Sequence, residues 1–416
     1  MAKTRSSLEA AGLTQRTANI SERVKKIVVS PIKEMRILAE KVPGAISFGQ
    51  GMPYVDTSPE IKEKLIFALK TKDISKYSTS PGLPELRQKL AERVMKKRGL
   101  QGILSENILV TVGAMEGLGA AIMTVINPGD EVIVVTPGFS SHIEQILLAG
   151  GKPVFVPLIE KKSWALDANA FKKAITKKTK AILLCNPSNP TGTVYSKKDL
   201  QEIEQLVLKN NLILILDEPY DFLLYDNAEF YSPASNPALK NNLIACFSFS
   251  KEFAMTGYRI GYVYADSGII NQMMKVHDAF CICAARISQE AALAALSISD
   301  EFTKDLVKKL DYNRKLVMSW LDKMPELFEY QVPKGAYYIF PRYKIENLTK
   351  KNPKLKDINS FDFCLKLLYE AKVETVPGAA FGPAGENHIR MSFGAKPEEL
   401  EEGMKRLKKW SENLTQ

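Results

Sequence analysis

Short runs of consecutive apolar residues alternate with longer amphipathic segments through the middle of the chain. The runs are residues 108–112, 131–135, 181–185 and 212–216. Runs that are apolar at nearly every position are typical of strands buried on both faces of a parallel sheet. The charged segment 83–99 has the pattern of a helix that Gly99 ends. This alternation predicts an α/β fold with a mostly parallel central sheet.

The pattern changes after about residue 315. Lysine-rich helical segments then alternate with short strand-like pieces at 336–340 and 389–393. We therefore predict a large α/β/α domain over 51–315 and a smaller α+β domain over 316–416. Residues 21–50 are expected to join the smaller domain, and residues 1–20 to form a flexible arm.

Composition and charge indicate an ordinary cytoplasmic globular protein. The chain has 416 residues, of which 25% are charged and 45% hydrophobic. No apolar run approaches the ~18 residues that span a bilayer, and residues 1–20 lack the apolar centre of a secretory signal. The net charge of +10 comes from lysines mostly interleaved with acids, which favours a solvated surface over nucleic-acid binding.

The cysteines and histidines give no prediction of a metal site. Five cysteines in apolar contexts are typical of reduced thiols in the cytoplasm. The pair Cys281 and Cys283 could hint at a metal, but we identify no second pair and no nearby histidine that completes a tetrahedral site. With three histidines in the chain, zinc chemistry and a histidine-based triad are not expected.

The segment 248–262 carries the strongest chemical signal. Lys251 lies among small, apolar and aromatic residues, where poor hydration lowers the pKa of an amine and lets the neutral form attack a carbonyl. Ser248, Ser250 and Arg259 are suited to hold a phosphate. A carbonyl and a phosphate on one cofactor indicate pyridoxal phosphate (PLP) held by Lys251. The alternative is a surface lysine beside a buried strand.

Asp217 closes the apolar run 212–216. A carboxylate at a strand end can pair with a protonated pyridine nitrogen and keep the ring electron-withdrawing. Tyr220, three residues later, can donate to the phenolic oxygen of the ring. The alternative is that Asp217 caps a helix that starts at Pro219.

Three further pieces fit the same cofactor. Asn189 lies in a turn with two prolines and a glycine after the run 181–185, and its amide is a candidate donor to the ring oxygen. Segment 111–117 joins a strand to a helix of small residues, whose N-terminal amides form an anion site. Arg390, between apolar strand residues, could clamp a substrate carboxylate or form a structural ion pair.

In this order, the pieces resemble those of the fold-type I PLP enzymes, specifically the class I/II aminotransferases of the aspartate and aromatic type. The motifs are Asn-Pro-x-Asn-Pro-Thr-Gly, Asp-x-x-Tyr, Ser-x-Ser-Lys with arginine eight residues on, and a late arginine. The spacings from Asn189 to Asp217 and from Asp217 to Lys251 also look like those of the family. The resemblance runs from about Pro43 to the C-terminus.

The resemblance implies roles for further residues. The phosphate-binding set would comprise Gly113, Ala114, Met115, Ser248, Ser250 and Arg259. Phe139 would stack on the pyridine ring, and Gly51 would donate to the substrate carboxylate beside Asn189 and Arg390. Tyr77 would reach the phosphate of a neighbouring subunit, which implies a homodimer with shared active sites.

Three positions depart from the common pattern of the family. Phe139 replaces a tyrosine or tryptophan, His142 stands where a tyrosine is frequent, and Ser188 where an asparagine is frequent. We expect each to reshape the pocket without touching the chemistry directly.

The resemblance implies an aminotransferase that moves an amino group from an L-amino acid to a 2-oxo acid by a ping-pong mechanism. Lys251 would move the proton of the α-carbon, while Asp217 and Tyr220 tune the ring. The alternatives are another PLP reaction on the same scaffold, such as a C–S lyase or synthase, and a ligand-sensing regulator without activity. The sequence does not identify the pair of substrates.

Overall fold

A computed structural model describes residues 20–27 and 30–413 of the chain. The predicted flexible arm at 1–20 therefore lies, except for Ile20, outside the described residues. Within the described ranges, no helix has the length and apolar character needed to cross a bilayer.

Helices and strands alternate along the chain as the hydrophobic pattern predicts. The α-helices are Glu22–Lys25, Pro31–Glu40, Pro59–Thr71, Pro84–Arg98, Gly113–Val125, Ser140–Leu148, Ala168–Ala174, Lys197–Asn210, Phe249–Glu252, Ser267–Cys281, Arg286–Ala295, Glu301–Leu321, Ile345–Lys351, Ser360–Lys366 and Pro397–Asn413. The strands are β1 (Ile46–Ser47), β2 (Ile108–Thr111), β3 (Glu131–Thr136), β4 (Lys152–Pro157), β5 (Thr179–Cys185), β6 (Ile213–Asp217), β7 (Leu243–Ser248), β8 (Gly261–Ala265), β9 (Phe328–Glu329), β10 (Tyr338–Ile339), β11 (Arg342–Tyr343), β12 (Val373–Glu374), β13 (Val376–Pro377) and β14 (Ile389–Ser392).

The central sheet has seven strands in the order β2-β8-β7-β6-β5-β3-β4. Strand β8 is antiparallel to both of its neighbours, while the pairs among β3 to β7 are parallel. Strands β2, β3, β5, β6 and β7 therefore end at the same edge. Ligands bind at this edge in open parallel sheets.

The apolar runs form strands because both faces of the sheet are covered. In β3, Ile133 and Val135 pack into one core, whereas Val132 and Val134 pack into the core on the opposite face. Successive side chains of a strand point to opposite faces, so a strand between two cores is apolar at every position. The prediction of doubly buried strands is confirmed.

The predicted helix at 83–99 is confirmed as Pro84–Arg98, and Gly99 ends it. The φ angle of Gly99 is +65°, and its amide donates to the carbonyl oxygen of Met95. This left-handed cap is the conformation that glycine adopts at lowest cost.

A separate hydrophobic core lies under the C-terminal part of the chain and includes Met35 and Phe48 from the N-terminal segment. Strand β1 pairs in parallel with β12, and β10, β14 and β13 form a three-stranded sheet. These contacts support the predicted union of residues 21–50 with the C-terminal region. The predicted boundary near residue 315 falls inside the helix Glu301–Leu321, so the exact division into domains stays a prediction.

Candidate active site

A cavity opens where the strands of the central sheet end and the C-terminal sheet begins. It encloses about 820 Å³ including its open mouth. Most of the residues predicted for the site line it together: Gly51, Ala114, Met115, Phe139, Asn189, Asp217, Tyr220, Ser248, Ser250, Lys251, Arg259 and Arg390. Gly51 and Arg390, which come from opposite ends of the chain, thus meet in one cavity.

Lys251 lies in the short helix Phe249–Glu252, which directly follows β7. The hydroxyl of Ser248 caps this helix by accepting from the amide of Ser250 at 3.1 Å. The Lys251 amine donates to the carbonyl oxygen of Gly51 at 2.5 Å, and the hydroxyl of Tyr337 donates to the same oxygen at 2.6 Å. A rigid helix start and a shared acceptor therefore fix the amine in the cavity.

The pKa of Lys251 is lowered from 10.5 to about 8. Burial is the main cause, and the positive charges of Arg259 and Arg390 add to it, while Asp217 opposes them. An amine with such a pKa has a substantial neutral fraction near neutral pH. Lys251 thus lines the cavity with a lowered pKa, a setting that suits the predicted nucleophile and base.

One end of the cavity brings the guanidinium of Arg259 next to the start of a helix. Arg259 has a left-handed backbone, and its Nη1 donates to the carbonyl oxygen of Thr256 at 3.0 Å and to the Ser250 hydroxyl at 3.5 Å. The helix Gly113–Val125 starts beside it, and Gly113 has a φ of +73°. A Cβ on Gly113 would meet Nη2 of Arg259 at 2.6 Å, so only glycine lets the helix N-terminus approach the guanidinium.

Asp217 ends β6 and is 4% exposed. Its Oδ2 lies 3.0 Å from Nε2 of His142, and the ring of His142 stands edge-on to Phe139 at 5.4 Å. His142 therefore contacts a predicted site residue, although it does not itself line the cavity. Phe139 is the N-cap of the helix Ser140–Leu148 and His142 lies in its first turn, so the start of one helix positions both side chains.

Arg390 lies in β14 and is 2% exposed. Its Nη1 donates to Oδ1 of Asn189 at 3.0 Å, and its Nη2 donates to the carbonyl oxygen of Gly49 at 2.7 Å. Its Nε has no hydrogen-bond partner in the described part of the chain. Both partners are neutral oxygens, so the buried guanidinium retains an unmet preference for an anion.

A comparison of the chain with known protein families shows to which class of protein this site belongs. The family described as aminotransferase class I and II matches residues 43–407. The chain belongs to this family. Its fold-type I architecture and its activity as an aminotransferase agree with the resemblance found in the sequence.

Relatives match the aminotransferase over nearly its full length. An aspartate aminotransferase of Pyrococcus abyssi is 39% identical over 94% of this chain and 97% of its own. The aromatic-amino-acid aminotransferase 2 of Thermococcus litoralis is 36% identical, over 94% of this chain and 97% of its own. The crystal structure of an aromatic aminotransferase from Pyrococcus horikoshii superposes with a TM-score of 0.83 at 37% identity, covering 92% of this chain and 99% of that one.

Members of the family depend on PLP, and the cavity of this aminotransferase has the groups that PLP requires. The cationic end with Arg259 suits a phosphate, the lysine amine suits an aldehyde, and the buried carboxylate of Asp217 suits a pyridinium. The guanidinium of Arg390, which lines the cavity, suits a carboxylate. The residues therefore fit the cofactor and an amino-acid substrate.

Several residues of the aminotransferase site were not found from the sequence. One of these residues is Tyr338. Its hydroxyl shares a hydrogen bond with the hydroxyl of the predicted residue Tyr220, and 2.9 Å separates the two oxygens. Burial, together with Tyr338 and Tyr337, raises the pKa of Tyr220 well above its ordinary value, so it stays protonated. The remaining unpredicted lining residues are Ile32, Leu118, Cys185 and Pro219. Only the period-two pattern of the strand piece 336–340 could have pointed to Tyr338.

Two predicted residues do not line the cavity. Gly113 lies behind its wall, against Arg259. Tyr77 is 76% exposed and belongs to the surface of the single chain, so its predicted role depends on a second subunit.

Proposed function

We propose that this aminotransferase holds PLP on Lys251 and transfers the amino group of an L-amino acid to a 2-oxo acid in two half-reactions. The observation that carries the proposal is the convergence of three groups on one cavity. These are the amine of Lys251, the buried carboxylate of Asp217 and the guanidinium of Arg390. The lowered pKa of Lys251 suits an amine that must react in its neutral form.

The phosphate would lie at the cationic end of the cavity. Ser248, Ser250 and Arg259 would hold it, together with the amides of Ala114 and Met115 at the start of their helix. A helix N-terminus favours an anion through its free N–H groups and its dipole. Arg259 adds a planar pair of donors that matches a phosphate edge.

The aromatic ring would lie between Phe139 and the residues at the strand ends. Asp217 would hold a proton on the pyridine nitrogen, and His142 would orient that carboxylate through its 3.0 Å contact. Asn189 and Tyr220 would donate to the ring oxygen, since Tyr220 stays protonated.

Bound PLP supplies an aldehyde carbon that accepts the amino group and a ring that withdraws electrons from the α-carbon. Arg390 and the backbone of Gly51 would fix the substrate carboxylate, which orients the C–H bond of the α-carbon towards Lys251. Lys251 would take this proton as a base and return it as an acid, and a pKa of about 8 suits both steps.

A homodimer in the cytoplasm is part of the proposal. Large apolar side chains are exposed near Tyr77 in the chain or on neighbouring helices. Phe67 is 66% exposed and Phe280 is 64% exposed. Such exposed apolar groups favour contact with a second copy of the chain. Tyr77 would then complete the phosphate site of the partner. All five cysteines are described and are free thiols, which fits a reducing compartment.

The substrates are proposed from the relatives. Aspartate and aromatic amino acids are the candidate donors, because similar proteins carry those names. A panel of L-amino acids added to the cofactor-loaded protein should change its visible absorbance for true donors. A 2-oxo acid should then restore the original spectrum.

The addition of a 2-oxo acid distinguishes a transaminase from the alternative functions. A C–S lyase or synthase has no need of a 2-oxo acid, and a regulator would bind the amino acid without releasing a 2-oxo product. A spectrum that no oxo acid restores would contradict the proposed function, whereas a normal cycle with unexpected amino acids would only revise the substrates.

A further inference from the structure

A cluster of three chemically different side chains lies between two helices of the large core. The helix Ser267–Cys281 packs against the helix Gly113–Val125. His277 and Cys281 are four residues apart and therefore share one face of their helix. They face Glu116 of the second helix, and none of the three lines the active-site cavity.

The donor atoms of the cluster are close to metal-binding distances. Nδ1 of His277 lies 3.1 Å from Oε1 of Glu116 and 3.4 Å from Sγ of Cys281. Donors that share a tetrahedral zinc ion at bond lengths of ~2.0–2.3 Å are roughly 3.3–3.7 Å apart. All three donors lie within 4.8 Å of one another, a separation that a change of side-chain torsions can reduce to the spacing around a shared ion.

The three side chains of the cluster differ in their exposure to solvent. His277 is fully buried, while Cys281 is half-buried and the Glu116 side chain is 17% exposed. Oε2 of Glu116 accepts from the amide of Val112 at 3.1 Å. Oε1 can therefore bind an ion while Oε2 keeps its bond to the loop, and a water can reach the open side.

The pair Cys281 and Cys283 alone does not predict a metal site. His277 lies one helical turn before Cys281, and its ring is in contact with the thiol. The third donor comes from a segment 161 residues away, which no local motif reveals.

We propose that Glu116, His277 and Cys281 form a binding site for a divalent transition-metal ion of the zinc type, with water as the fourth ligand. A thiolate, an imidazole and a carboxylate are the three ligand types that zinc accepts in proteins. Three protein ligands and one open position are typical of an accessible site rather than a closed structural one. Binding displaces the thiol proton, so one proton is released for each ion bound.

The first test titrates the PLP-loaded protein with Zn²⁺ in competition with a chromophoric chelator, and with Co²⁺ as a spectroscopic probe. We expect one tight site per chain and the visible ligand-field bands of tetrahedral cobalt. Cys281→Ser and His277→Gln should weaken binding by on the order of 100-fold, since even indirect changes around a metal ligand cost 10–100-fold.

Cys283→Ser is the matched control, because Cys283 is a buried thiol two residues from Cys281 outside the cluster. It should bind metal like the unmodified protein. Equal loss in Cys283→Ser, or unchanged binding in Cys281→Ser, would overturn the proposed ligand set.

A second measurement needs no variant and stays decisive if a substitution prevents folding. Alkylation of the native protein, followed by peptide mapping, should label Cys281 without metal and leave it protected with saturating Zn²⁺. Labelling of Cys281 at the same rate with and without Zn²⁺ would overturn the site. Both tests read metal binding alone, so their failure would leave the proposed aminotransferase roles intact.

Discussion

Replacing Lys251 with methionine should stabilise the cofactor-free protein at neutral pH. The fold lowers the pKa of this lysine from 10.5 to about 8, mainly by burial. The protonated amine is therefore less favourable in the folded state than in the unfolded state. Methionine has a similar length and no charge, so it removes this penalty and keeps most of the apolar packing.

The size of the effect follows from the pKa. At about 1.4 kcal/mol for each pKa unit, the fall from 10.5 to about 8 corresponds to about 3 kcal/mol. The lost hydrogen bond to Gly51 removes about 1 kcal/mol, so Lys251→Met should raise the free energy of unfolding by about 2 kcal/mol below pH 8.

The sign of the pH dependence distinguishes this cause from better packing. Between pH 8 and 10.5 the unfolded lysine carries a proton that the folded lysine lacks, so the stability of the unmodified protein rises with pH. The methionine variant lacks this rise. The gap between the two proteins should therefore shrink by about 3 kcal/mol from about pH 7 to above pH 10 and should then change sign.

Urea denaturation of both cofactor-free proteins at a series of pH values measures the gap. Lys315→Met, at an exposed lysine whose side chain is 65% accessible, is the control and should show a small difference that does not vary with pH. A Lys251→Met variant that is destabilised equally at all pH values would refute the assignment of a destabilised charge at this position.

Three further experiments test the proposed roles. Arg390→Ala should weaken saturation by amino acids and oxo acids by about 2–5 kcal/mol, with partial recovery in Arg390→Lys; unchanged saturation kinetics would make Arg390 structural. His142→Phe should lower kcat by on the order of 10- to 100-fold, since a hydrogen bond to a carboxylate is worth about 1.5–3 kcal/mol. Unaltered kcat and cofactor affinity would show that His142 only contributes to packing. The third experiment mixes inactive Lys251→Ala subunits with weakened Tyr77→Ala subunits. After random reassortment of a dimer, about half of the dimers contain one subunit of each kind and one intact site, so about a quarter of the normal sites should be recovered. A mixture that is no more active than its parents would contradict shared sites.

The positions of Asn189, Asp217 and Lys251 could be predicted because each lies at or shortly after the end of a strand of the central sheet. Parallel strands end at one edge of the sheet. An apolar run followed by a polar residue therefore predicts both a strand and the position of that residue at this edge. Gly99 was equally readable, since a left-handed helix cap favours glycine.

The contacts that depend on the second core could not be predicted. Arg390 and Tyr338 reach the cavity only because the C-terminal sheet packs over the strand ends, and no local pattern fixes that packing. The contact between His142 and Asp217 joins residues 75 positions apart and depends on the rotation of one helix. Hydrophobic patterns predict where helices and strands lie along the chain, whereas these side-chain contacts depend on how the helices and strands pack against one another.

The central claim is that the amine of Lys251 binds the aldehyde of PLP. Borohydride reduction of the cofactor-loaded protein makes this bond permanent, and peptide mapping by mass spectrometry then locates the pyridoxyl group. We predict one such group per chain, on the peptide that contains Lys251. A label on another lysine, or no label in protein that was supplied with PLP, would contradict the account.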